Sequence, residues 1–122
     1  MKSRENLVRL KQFQVNEKRR RLAQLDAMIS EFERMAIELD AQVAAEETKA
    51  GITDQNHFAY PTFAKAARLR RDNLRISQAE LVQQKEQAEH DLAEAEAELR
   101  KAEALETRDG RRSDGAPRAA AG

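Results

Sequence analysis

The chain has 122 residues, of which 36% are charged and 4% aromatic, with no Trp and no Cys. This composition excludes a disulfide framework and a thiolate metal site, and it supplies too few large side chains for an ordinary globular core. Formal net charge is zero, 22 cations against 22 anions, so overall charge selects no acidic partner.

An Ala/Glu/Arg/Leu/Lys-rich chain with apolar residues every 3.5 positions fits an all-α coiled coil. The first arm is expected over about residues 3–50, with Ser3 as its N-cap. One seven-residue set, Val8, Val15, Leu22, Ile29, Ala36 and Val43, is apolar throughout. Its companion, Lys11, Lys18, Leu25, Phe32 and Leu39, is apolar only from Leu25 on, and Met28 and Met35 border the stripe. About 48 helical residues at 1.5 Å each give an arm of roughly 70 Å. Phe13 falls on the outer face, as a solitary surface aromatic or as an anchor for a partner groove. Lys18, Arg19, Arg20 and Arg21 spread around the helix at about 100° per step, so part of the run faces solvent. They serve either as a solvated face paired with the second arm or as a site for phosphate or an acidic partner.

The stretch GITDQNHFAYPT, residues 51–62, is the long interruption of the helical pattern. Gly51 suits a helix end, Asp54 and Asn56 supply turn chemistry, and Pro61 suits an early helical position. Residues 51–61 therefore read as the tip of a hairpin. Phe58, Tyr60 and Phe63 gather there, either to close the end of the seam or to meet a partner. His57 and His90 are too far apart in sequence to suggest a metal site.

The second arm is expected over about 61–106. Its sets are Tyr60, Ala67, Leu74, Leu81, Ala88, Ala95 and Ala102, and Ala64, Arg71, Gln78, Lys85, Leu92 and Leu99. Four alanines in the first set and three polar residues in the second make a thin seam, with modest stability and fraying expected near Arg71–Lys85. Leu69, Ile76 and Val82 lie off it, marking a stutter in the heptads or a second apolar face. Residues 107–122 lack apolar anchors and read as a disordered tail.

Charge distribution selects the antiparallel arrangement. Residues 1–21 and 65–75 carry net charges of +6 and +4, whereas 22–47 and 80–106 each carry −6. Folding back at the tip sets basic blocks beside acidic ones, and the opposite alignment sets like against like. Each exposed pair is worth about 0–1 kcal/mol, yet together they bias orientation and register.

The opening MKSRENLVRLK has no uncharged run long enough for a secretory signal, and no stretch approaches the roughly 20 apolar residues of a membrane span. A soluble, cytoplasmic protein is expected. The four glycines, at 51, 110, 115 and 122, form no phosphate-cradling loop, and carboxylates on solvated helix faces are not tuned for catalysis. No enzymatic activity and no cofactor are expected.

The segment HFAYPTFAKAARLRRDNL, residues 57–74, together with the basic opening and the two long arms, resembles the flagellar type III export protein family FliJ. The likeness is closest to alpha-proteobacterial members and covers about residues 2–106. It implies an antiparallel coiled coil like the central stalk of a rotary ATPase. Such a stalk enters the pore of the hexameric export ATPase, links it to the cytoplasmic domain of the membrane-embedded export gate, and engages export chaperones. The family contributes no catalytic residues. Carried onto this chain, the open end, Leu7–Arg21 with Leu92–Glu106, would face the ATPase, with Phe13, Lys18, Arg19, Arg20 and Arg21 as candidates. Phe58, Tyr60, Phe63, Arg70, Arg71 and Leu74 would be candidates for the gate. A monomer that associates peripherally with the inner membrane at the flagellar base is implied. Two other readings stand beside it. One is a hairpin that grips structured RNA, disfavoured by the acidic blocks; the other is a homodimeric coiled-coil adaptor.

Overall fold

The structure, a computed structural model, describes the backbone of residues 2–121 and the side chains of residues 3–111. It is all-α, with helix α1 spanning Lys2–Ala50 and helix α2 spanning Thr62–Ala121. The two pack against each other as an antiparallel coiled-coil hairpin, the class that the heptads and the charge blocks predict.

The buried residues are those of the predicted seams. α1 buries Val15, Leu25, Ala36 and Val43; Tyr60, just ahead of α2, and Ala64, Ala67, Ala88 and Ala102 of α2 lie opposite. Every other predicted seam position is half-buried except Lys18, which is exposed. The heptads run through α2 without a stutter, for Leu69 and Ile76 project outward, and Val82 is also exposed. Alanines let the backbones approach closely, and the bulk is supplied from α1 by Leu25 and Val15, the largest fully buried side chains.

Two packing units are formed. In the unit of Gln24–Lys85, Val43, Tyr60, Ala64 and Ala67 make a buried cluster, with Leu39 and Ile52 against it. Asp26, Glu33, Asp40 and Glu47 recur every seven residues along α1 and pair with Lys85, Arg75, Arg71 and Arg68. Three of these pairs span 2.7 Å for Lys85, 2.5 Å for Arg71 and 3.0 Å for Arg68. Gln78 donates to the Ile29 carbonyl at 3.3 Å and to Glu33 at 2.9 Å. The three polar residues that thin the predicted seam thus each reach an acceptor on α1. In the unit of Met1–Ala23 with Glu86–Gly122, Arg4 pairs with Asp109 at 2.8 Å, Lys11 with Glu98 at 3.9 Å and Arg19 with Glu96 at 3.3 Å.

The tip is a chain of hydrogen-bonded turns. Gly51 adopts a left-handed φ of 70°, and its N–H is shared between the carbonyls of Glu47 at 2.8 Å and Thr48 at 3.3 Å, while that of Ile52 donates to Glu47 at 3.2 Å. That paired pattern ends α1 in a Schellman motif, which uses glycine because a Cβ disfavours this conformation. Asn56 N–H donates to the Asp54 carboxylate at 2.9 Å, and His57 N–H to the Asp54 carbonyl at 3.1 Å.

Three boundaries differ from expectation. α2 begins at Thr62, and Pro61 is the capping residue whose carbonyl accepts the first helical bond, from Lys65 at 3.1 Å. α1 begins at Lys2, so Ser3 lies inside the first turn rather than at the cap. α2 also continues through residues 107–111, past the expected end at Glu106, where Arg4 holds Asp109. The expected tail over 112–122 falls outside the described side chains.

Candidate functional site

Seven-residue spacing separates side chains that lock the hairpin from those left to solvent. At the tip, Tyr60 Oη donates to Glu47 at 2.8 Å and accepts from Arg68 Nε at 2.9 Å, while Arg68 Nη2 donates to the same Glu47 oxygen at 3.0 Å. The three close the end of the seam. The Tyr60 hydroxyl and then Arg68 hold the Glu47 carboxyl below its ordinary pKa. Arg75 and then Gln78 do the same to Glu33. The complementary effect raises the Arg68, Arg71 and Arg75 guanidinium pKa values, chiefly through Tyr60, Asp72 and Glu33 respectively.

The gate candidates consequently divide. Tyr60 is buried and bonded, and Arg71 is held by Asp40 and Asp72. Phe58 is 97% exposed at the apex, stacked on His57 with ring centroids 4.7 Å apart. Ala59 N–H donates to His57 Nδ1 at 3.0 Å, which orients the imidazole beneath that stack. Phe63 is 55% exposed, Arg70 is exposed, and Leu74 is half-buried. The tip cluster therefore does both things its sequence allows, with Tyr60 inside and Phe58 and Phe63 outside.

Around the basic run of the other unit, Phe13 is 59% exposed and Lys18 is exposed. Arg19 reaches across to Glu96, and Arg20 pairs with Glu17 one turn back at 2.8 Å. Arg21 is exposed but engaged. Phe13, Lys18 and Arg20 project from the hairpin, whereas Arg19 helps to hold it together.

A groove of about 440 Å³ in the unit of residues 24–85 takes in two of the gate candidates, Arg70 and Leu74, and joins them to α1 residues that the sequence reading did not single out as a site. Phe32, Met35, Leu39 and Leu74 give it an apolar lining, with Glu38 on the α1 side and Arg70 on the α2 side. Phe32, Leu39 and Leu74 read from the sequence as seam residues. What the heptads do not show is that the arms leave them half-uncovered on one flank. The signal that could have found it was the acid at every seventh position from Asp26 to Glu47, which assigns all cross-strand charge to the other flank.

Among the described residues no group of His, Cys, Asp and Glu is arranged to hold a metal ion, and no helix is long and apolar enough to cross a membrane. Comparison with protein-family models, with curated proteins and with solved structures returned no match for this chain.

Proposed function

We propose that this chain is a non-enzymatic stalk of a flagellar type III export apparatus, binding a hexameric export ATPase and linking it to the cytoplasmic domain of the export gate. The observation that carries the reading is the antiparallel pairing of two long helices, with cross-strand charges absorbed along the seam and unlike residues left on the outer faces. A stalk inside a sixfold ring presents a different face to each subunit. Coupling then needs only unequal interaction with the nucleotide states of those subunits. Phe13, Lys18 and Arg20 form the exposed ATPase-facing candidates, Arg20 being paired with Glu17 of its own helix. Phe58, Phe63, Arg70 and Leu74 remain for the gate, and export chaperones are further partners. The protein acts in the cytoplasm, peripherally at the inner membrane.

Nucleic-acid binding is the weaker reading. Arg68, Arg71 and Arg75, the core of the second basic block, are each bonded to carboxylates of the hairpin itself. Those charges are already partnered and would have to leave their pairs to meet phosphates.

The test is ATP hydrolysis by the cognate hexameric export ATPase with and without the full chain. Wild type raises the rate, and a Phe13→Ala, Lys18→Glu, Arg20→Glu variant with unchanged helicity loses most of the stimulation. An ATPase that neither binds nor responds to wild type removes the stalk reading.

A further inference from the structure

The two flanks of the seam in the unit of residues 24–85 are chemically unlike. One carries the Asp26, Glu33, Asp40 and Glu47 pairs. The groove opens on the other, over Phe32, Leu39 and Leu74. Met28 precedes Met35 by seven residues, and Phe63 precedes Arg70 by seven, which is two helical turns, so both stand on the groove's flank. Met28, Met35 and Phe63 are 37%, 40% and 55% exposed, and this flank thus offers solvent apolar side chains from both helices at once. Its charges balance. Glu31 is held by Arg34, which also feels Glu38, so these three leave one negative charge on the α1 side. Arg70 supplies one positive charge on the α2 side. Among the described residues neither Glu38 nor Arg70 joins an ion pair across the hairpin.

Such a face is its own complement. A two-fold axis running along the helices, between two copies, lays α1 of each over α2 of the other and leaves every residue at its own level. Asp40 is level with Arg71, and Glu33 with Gln78, which puts Glu38 within about one turn of Arg70 along the axis. Each Glu38 then meets the Arg70 of the other copy, twice by symmetry. An axis across the helices, centred on the groove, would instead stack α1 on α1 and turn Glu38 toward Glu38. A face without net charge gives an anionic lipid surface, or a partner helix with an edge of one sign, nothing to select. We infer that this flank joins two copies of the chain in a four-helix bundle, with Phe32, Met35, Leu39 and Leu74 at its centre and Glu38 paired with Arg70 between copies. About 20 residues of each helix at 1.5 Å, and two helices each about 10 Å across, give a face of roughly 600 Å². Two such faces bury about 1,200 Å², the low end for a specific pair, so the dimer is a weak one. Pairing covers Arg70 and Leu74, and a paired chain cannot present them to another protein. The inference goes beyond the stalk reading and does not depend on it.

The test is sedimentation equilibrium of the full chain from about 10 μM to 1 mM, which should show monomer and dimer in exchange. Met35→Glu puts a carboxylate at the centre of the bundle from each copy and should weaken dimerisation more than about tenfold, with helicity unchanged. Glu38→Arg and Arg70→Glu, at exposed positions, should each weaken it about fivefold or more, because like charges then face each other twice. An equimolar mixture of those two variants should associate about as well as wild type, since each mixed pair regains two contacts of opposite charge. The inference is overturned if wild type is monomeric throughout that range, the flank then serving another protein or a lipid surface. It is equally overturned if a dimer forms that Met35→Glu does not weaken, or if the mixture associates no better than either charge variant alone. None of these readings involves the ATPase, so the stalk proposal can fail without affecting them.

Discussion

Leu25 is the severest single test of how the seam is stabilised. It is 1% exposed and has mostly alanine-sized or half-buried neighbours along the seam, so few other side chains can replace its bulk. Leu25→Ala removes three carbons, about 2.4 kcal/mol at roughly 0.8 kcal/mol per buried methylene. A residual cavity adds to that, though a seam of only two helices relaxes more readily than an enclosed core, which keeps the total near 3 kcal/mol. For a chain of this size that is a fall of roughly 12 °C in melting temperature. The control is Leu10→Ala, at a position 51% exposed, which should change stability by no more than about 0.5 kcal/mol. Circular dichroism at 222 nm through urea and thermal melts reads both. Equal losses for the two variants would show that the α1 seam is not where apolar burial is concentrated.

Four further outcomes are expected. Tyr60→Phe removes the hydroxyl shared by Glu47 and Arg68 and should cost about 1 kcal/mol, with faster amide exchange at the tip; unchanged exchange would show that the network does not hold the turn. Gly51→Ala meets no neighbouring atom within 4 Å, so only the left-handed backbone is strained, at about 1–2 kcal/mol in a urea melt. Asp40→Arg and Arg71→Asp should each lower the urea midpoint, and the double variant should recover most of the loss; simple additivity would contradict the register. The Glu33 and Glu47 carboxyls are depressed in the folded state, so the unfolded chain binds their protons first. Their stabilisation is therefore complete above about pH 4.5 and is lost as pH falls through the lowered values, and Glu33→Gln with Glu47→Gln should flatten that decline in melts from pH 7 to pH 3.

Most of the fold was legible in the sequence because a coiled coil writes its contacts at a fixed spacing. Val15, Ala36 and Val43 on one arm and Ala67, Ala88 and Ala102 on the other are buried where the heptads put them. Gly51 as a helix end and the outward position of Phe13 follow from equally local physics. Periodicity says less about polar seam positions, because it cannot show which acceptor an Arg71 or a Gln78 will reach across the gap. Candidate sites were harder still. Tyr60 and Phe58 are two residues apart in a turn, and only three-dimensional closure sends one into the Glu47–Arg68 network and the other into solvent. The groove escaped for a related reason. Its floor is made of seam residues, and exposure of a seam on one flank depends on how the arms settle side by side.

The stalk account is tested most directly by the stoichiometry of the complex with the cognate export ATPase, measured by native mass spectrometry in the presence of nucleotide. One chain per six ATPase subunits is the predicted result. Six chains per six subunits, or no complex at all, would contradict a stalk seated in the pore of the ring.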